Sequence, residues 1–216
     1  QRRFLRDPEC RAAALLLHER VPLAGRSRPF QPSGPAPATE RDAPRKHLDR
    51  RFETANTPLP EVHMLSNGRY SVMINNAGGG FSSWNGLALT RWREDIARDE
   101  WGTFFYVLDV DGGNPWSACY QPMRPDYDAY QVVFSQGRTE FSSRIRQIEV
   151  RTVMAVSPED DIEIRRLTFT NYSTRPRTLE LTSYSEVVLL DPRAELSHPA
   201  FHNLFVETEA LQDAPV

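Results

Sequence analysis

From about Arg51 onward, apolar and polar positions alternate in short runs separated by turn residues. Tyr70, Val72 and Ile74 alternate, and Thr103 to Val110 is a β-branched and aromatic run. Ile148, Val150, Thr152, Met154 and Val156 alternate strictly, which gives a strand with one buried face. Ser157-Pro158-Glu159-Asp160-Asp161 reads as a turn and Ile162 to Thr170 as the returning strand. Asn171 to Pro176 is a second turn, Arg177 to Leu189 the next strand, and Asn203 to Glu209 a further one. No segment after residue 51 carries a convincing helical period. Turns at regular intervals between period-two segments predict an all-β fold, an antiparallel sandwich over residues 51–216.

The first fifty residues follow another pattern. Residues 7–20 predict a short helix: Asp7 can cap it, Pro8 suits the first helical position, and Glu9 favours the positive end of the helix dipole. Ala12 to Leu17 supplies the apolar surface, and Pro22 ends the element. Residues 1–21 therefore read as a helical connecting segment. Residues 22–47 hold six prolines (Pro22, Pro29, Pro32, Pro35, Pro37 and Pro44) and few large apolar groups. Such a stretch buries too little surface to offset its ordering entropy, so residues 22–50 read as a proline-rich linker.

Composition narrows the class. A chain of 216 residues that is 39% hydrophobic and 25% charged suits one sizeable globular domain with a tail. The longest apolar run, Ala12 to Leu17, falls far short of the ~20 residues of a membrane span, so no direct span is expected. Gln1-Arg2-Arg3 leads into a charged, Leu-rich segment and not into a secretory signal. The chain starts without Met and stops at Val216 after a strand-like run, as expected of a piece of a longer protein. Cys10 and Cys119 support neither a disulfide framework nor a zinc site, which points to a reducing compartment. Residues 1–51 carry 12 basic and 6 acidic residues, whereas the remainder carries 14 and 23. The folded part is thus acidic, which sets nucleic acid aside as a partner.

The densest chemistry lies in Gly78-Gly79-Gly80-Phe81-Ser82-Ser83-Trp84 and the following Leu87 to Asp95. Consecutive glycines permit a sharp bend or a close backbone approach to a ligand. Aromatic rings and paired charges sit beside them, the mixture with which sugar sites cover a C–H face and bind hydroxyls. In a strand, Arg91, Arg93 and Asp95 share one face while Trp92 and Glu94 take the other. The plainer alternative is a tight hairpin followed by a salt-bridged strand edge, and composition alone favours it. Gly79, Gly80, Ser82, Trp84, Arg91, Arg93, Glu94 and Asp95 are the substrate-binding or docking candidates.

Other motifs carry less. Asp109 to Asn114 lacks the ligand spacing and twelfth-position Glu of a calcium loop and reads as a hairpin turn. The Asn171-Tyr172-Ser173 sequon reads as a chance match. His198 and His202 are four apart, but Pro199 between them argues against a helix and a metal pair. No catalytic residue, metal ligand or cofactor is assigned.

The strings Leu65 to Met73, Asn76 to Trp84 and Leu89 to Asp95 resemble the cyclic β-1,2-glucan synthases. So do Trp116-Ser117-Ala118, Tyr120-Gln121-Pro122, Val156 to Asp161 and His198 to Phe201. The predicted helix and Glu19 to Pro22 are similar to the segment that joins this domain to the preceding one in those proteins. A weaker likeness extends to cellobiose and chitobiose phosphorylases. The resemblance implies an N-terminal β-supersandwich that precedes an (α/α)6 barrel. The barrel holds the general-acid Asp and the phosphate site for phosphorolysis of a β-glucoside with inversion. It further implies a multi-domain parent on the cytoplasmic side of the bacterial inner membrane that handles β-1,2-glucan. The catalytic acid carries over to no residue here, so the chain alone is expected to be inactive and to act as an accessory domain. The alternative is a stand-alone carbohydrate-binding module.

Overall fold

The computed structural model describes residues 49–93, 100–197 and 203–209. The chain divides into two compact units, residues 1–46 and 47–216, and all described residues belong to the second. The helix predicted at 7–20 and the linker up to residue 48 lie outside the described residues, as do Glu94, Asp95, His198 and His202.

Thirteen strands follow one another among the described residues. They are β1 (Arg50–Phe52), β2 (Val62–Ser66), β3 (Tyr70–Asn75), β4 (Gly80–Trp84), β5 (Leu87–Thr90), β6 (Thr103–Asp109) and β7 (Pro115–Ser117). After these come β8 (Ala129–Ser135), β9 (Arg138–Ile145), β10 (Ile148–Val156), β11 (Glu163–Asn171), β12 (Leu179–Ser185) and β13 (Val187–Leu190). They form three antiparallel sheets: β1-β8-β9-β10-β11, β13-β5-β4-β3-β2, and the three-stranded β12-β6-β7. The all-β antiparallel supersandwich expected from the sequence is the fold.

One face of β9 and β10 explains how the sheets assemble. Thr139, Phe141, Ser143 and Ile145 alternate with Ile148, Val150, Thr152 and Met154 to make a continuous buried surface. At one end, Phe141 and Met154 pack with Val132 and Phe134 of β8 and with Leu65, Val72 and Ile74 of β2 and β3. At the other, Ile145, Ile148 and Val150 pack with Val107 of β6 and Trp116 of β7. The first five-stranded sheet is therefore a common floor, roofed partly by the second and partly by the three-stranded sheet. The opposite face of β9 and β10 carries polar pairs, including a bidentate Arg151–Glu140 pair at 2.8 Å for both bonds.

Several expectations need correction. The single strand expected over Arg177 to Leu189 is two, β12 and β13, in different sheets, because the chain turns at Glu186 to leave β6 and join β5. Asn203 to Glu209 is not a strand: Asn203–Phe205 form a 3-10 turn, and Leu204 and Phe205 are exposed. A short apolar run does not by itself distinguish a strand from a turn. A one-and-a-half-turn helix, α1 (Pro192–Ser197), follows β13, with the Asp191 carboxylate accepting from the Arg193 and Ala194 N–H groups as its cap. Arg91 to Arg93 lie beyond the end of β5 and are not strand.

Candidate functional site

The glycine-rich stretch is the β3–β4 hairpin. The Gly78 N–H donates to the Asn75 carbonyl at 3.0 Å and Gly78 is left-handed, φ +92. The Asn75 side chain shapes the turn from inside: its Oδ1 accepts from the Ala77 and Gly79 N–H groups at 3.0 and 2.9 Å. Asn76 ties the same turn outward through Nδ2 to the Thr54 and Ala55 carbonyls and Thr57 Oγ1. All three glycines are buried. A Cβ on Gly78 would stand 2.3 Å from Cys119 Cβ, and one on Gly80 would stand 2.0 Å from the Met73 carbonyl oxygen. The close approach these glycines permit is therefore to the protein's own chain. Burial pushes the Cys119 thiol up to about 12, so it is an inert packing group.

Ser82 and Trp84 leave β4 toward β11 and the turn before it. Ser82 Oγ donates to Glu163 Oε2 at 2.6 Å, and Tyr70 Oη donates to the same oxygen at 3.3 Å. Arg165 pairs with the other Glu163 oxygen and donates to the Thr103 carbonyl at 2.8 Å. Trp84, 39% exposed, donates its Nε1–H to Asp161 Oδ2 at 2.6 Å. The Trp84 indole, then Asn67 and Arg69, holds the Asp161 carboxyl below its ordinary value by stabilising the charged form. Asn67 Nδ2 also reaches the Ser157 and Asp160 carbonyls, at 3.1 and 3.0 Å. Asn67-Gly68-Arg69 and Ser157 to Asp161, about ninety residues apart in sequence, thus form one polar clasp that locks two sheets together.

Arg91 and Arg93 belong to a second network. Arg91 Nη1 meets Glu186 at 2.5 Å, Arg91 Nε meets Glu195 at 3.2 Å, and Arg93 Nη2 meets Glu195 at 2.6 Å. Glu195, on α1, is only 4% exposed. The Trp92 ring lies 5.7 Å from that of Phe81. The arginines were expected, on the plain reading, to pair with their neighbours Glu94 and Asp95. Glu94 and Asp95 lie outside the described residues; the described partners come from the β12–β13 turn and α1, roughly a hundred residues later. Sequence reading missed Glu163, Asp161, Glu186 and Glu195, since nothing local marks a carboxylate whose partner is remote.

Elsewhere, Asp109 is fully buried against Arg177, whose hydrogen bond holds its carboxyl below the ordinary value. The Asp109 to Asn114 turn is structural, and no metal-ligating cluster occurs among the described residues. No helix there is long and apolar enough to cross a membrane. A shallow cavity of about 430 Å³, lined by Glu53, Ala129, Tyr130, Gln131 and Ser142, includes none of the nominated residues.

Two antiparallel sheets that roof a third, joined to it by polar clasps, define a supersandwich. Residues 45–216 match the family model of the glycosyl hydrolase 94 supersandwich domain, and the chain belongs to that family. It is 34% identical over 209 residues to the cyclic beta-(1,2)-glucan synthase NdvB of Rhizobium meliloti (strain 1021), covering 95% of this chain and 7% of that protein. It is 31% identical over 133 residues to 3-O-beta-D-glucopyranosyl-beta-D-glucuronide phosphorylase of Paenibacillus borealis, covering 61% of this chain and 16% of the relative. To N,N'-diacetylchitobiose phosphorylase of Vibrio proteolyticus it is 26% identical over 136 residues, covering 61% and 17%. The chain thus spans less than a fifth of the length of these relatives.

Proposed function

We propose that this chain is the accessory supersandwich of a larger polypeptide, a cyclic β-1,2-glucan synthase, in which it supports a phosphorylase-like (α/α)6 barrel acting on β-1,2-glucan. The observation that carries the reading is the likeness to NdvB along nearly the whole of this chain and only a small part of that protein. In this reading the parent is anchored at the inner membrane, and the domain works on the cytoplasmic side without a cofactor. The Arg91–Arg93 side faces the catalytic region. The carboxylates gathered near the nominated residues are held in a supporting role: Glu186 and Glu195 pair with arginines, Glu163 accepts from serine and tyrosine, and Asp161 accepts from tryptophan. An inverting phosphorolysis needs one free acid near the scissile bond. Incubation of the chain with β-1,2-glucooligosaccharides and phosphate should release no glucose 1-phosphate, whereas the parent polypeptide should release it. Release proportional to the amount of this chain would overturn the proposal.

A further inference from the structure

The three-stranded sheet has two unlike faces. Phe105, Val107 and Leu179 turn into the core with Trp116. On the other face of β6 and β12, Tyr106 and Tyr184 meet edge to face, with ring centroids 6.5 Å apart and planes at 69°. Tyr184 is 47% exposed and Thr182, paired with Tyr106, is exposed too. Tyr184 is not a loose surface ring. Its hydroxyl donates to Glu186 Oε1 at 3.2 Å, Glu186 Oε2 accepts from Arg91 at 2.5 Å, and Arg91 is held in turn by the buried Glu195. A chain of hydrogen bonds therefore runs from a buried carboxylate to an exposed aromatic face and fixes it, so little side-chain freedom remains to be lost on binding.

We propose that this Tyr106–Tyr184 face, with Glu186 and Arg91 at its rim, is a glucan-contacting surface. The exposed Tyr184 ring, braced edge-on by the half-buried Tyr106, would cover the apolar C–H side of a glucosyl unit, while the phenol, carboxylate and guanidinium bind its hydroxyls. The choice of glucan as ligand rests on the function proposed above; the location of the surface does not. One exposed ring braced by a half-buried one gives a weak contact, suited to guiding a long chain past the domain and too weak for retention.

The chain has seven tyrosines, so ring-selective labelling resolves Tyr184 from the rest. Titration of the full chain with linear β-1,2-glucooligosaccharides should shift the Tyr106 and Tyr184 ring signals saturably in the millimolar range. Tyr184→Ala should weaken binding at least tenfold. Tyr172→Ala removes an exposed tyrosine just past the end of β11 and should leave binding unchanged. If Tyr184→Ala unfolds the chain, Glu186→Gln, which keeps the shape and loses the charge, should still weaken binding severalfold. No saturable shift, or binding indifferent to both variants, overturns the proposal while leaving the accessory role intact. Tyr184 signals that move with protein concentration and not with sugar would mark a protein contact and also overturn it. Release of glucose 1-phosphate by the chain would defeat the accessory role without touching this assignment.

Discussion

Gly78 and Gly137 show how one residue type carries different meanings. Both are left-handed, at φ +92 and +79, where an alanine costs about 1–2 kcal/mol. Around Gly137 an added Cβ would meet open space, but at Gly78 it would collide with Cys119 Cβ. Overpacking of that kind adds about 1–3 kcal/mol. Urea denaturation should therefore show Gly137→Ala mildly destabilised and Gly78→Ala clearly more so. Equal losses would mean that the hairpin yields and that its packing is unimportant. The triple glycine was legible in the sequence as a bend. Whether a ligand or the chain itself approaches that bend was not, because the approaching residue, Cys119, is far away in the sequence and carries no signal.

Among the elements, the strands that form hairpins with local turn chemistry were the easiest to foresee. β10 and β11 flank Ser157 to Asp161, and their observed register keeps Ile148, Val150, Thr152 and Met154 on one face as the alternation requires. Other hairpins left weaker traces. Asn85-Gly86, left-handed at both residues, joins β4 to β5 and was a readable signal that went unread, whereas Arg146 and Gln147 take positive φ between β9 and β10 without glycine or asparagine. The short elements of the C-terminal third escaped altogether because long-range ion pairs set them in place. Glu195 fastens α1 to Arg91 and Arg93, and its side chain is 5% exposed against 14% and 25% for its partners. Removing the shared carboxylate takes the described partner from Arg93 and leaves Glu186 as the described partner of Arg91, so Glu195→Ala should cost about 3 kcal/mol, the lower end for breaking a buried pair. Arg93→Ala leaves Glu195 with Arg91 and should cost about 1 kcal/mol. In the parent polypeptide, the proposed orientation expects Arg93→Ala to lower phosphorolysis by more than that stability loss explains. A fall in activity strictly in step with melting temperature would make the arginine a fastener only.

At the scale of the whole molecule, two core clusters share one floor, and Thr152 lies where they join. It stands on β10 between Val150 of one cluster and Met154 of the other, opposite Phe141, with no exposed surface. Its Oγ1 has no hydrogen-bond partner. The alternation of β10 made Thr152 legible as an inward position, but period-two patterning does not reveal whether an inward hydroxyl finds an acceptor. Here the methyl group packs and the hydroxyl is carried at a loss, since a buried polar group without a partner costs about 1–3 kcal/mol by mutational measures. Thr152→Val keeps the shape and removes the unmet hydroxyl. It should stabilise the domain by about 1 kcal/mol, which for a unit of this size raises the melting temperature by about 2–4 °C. Because β9 and β10 serve both clusters, that rise should appear as a shift of one cooperative transition seen alike by tryptophan fluorescence and far-ultraviolet dichroism. Two transitions moving apart would show that the roofs over the floor unfold independently. A lowered melting temperature would show that the hydroxyl is satisfied in solution, by a water molecule or by a shift of β10, and that the join between the clusters is polar by design.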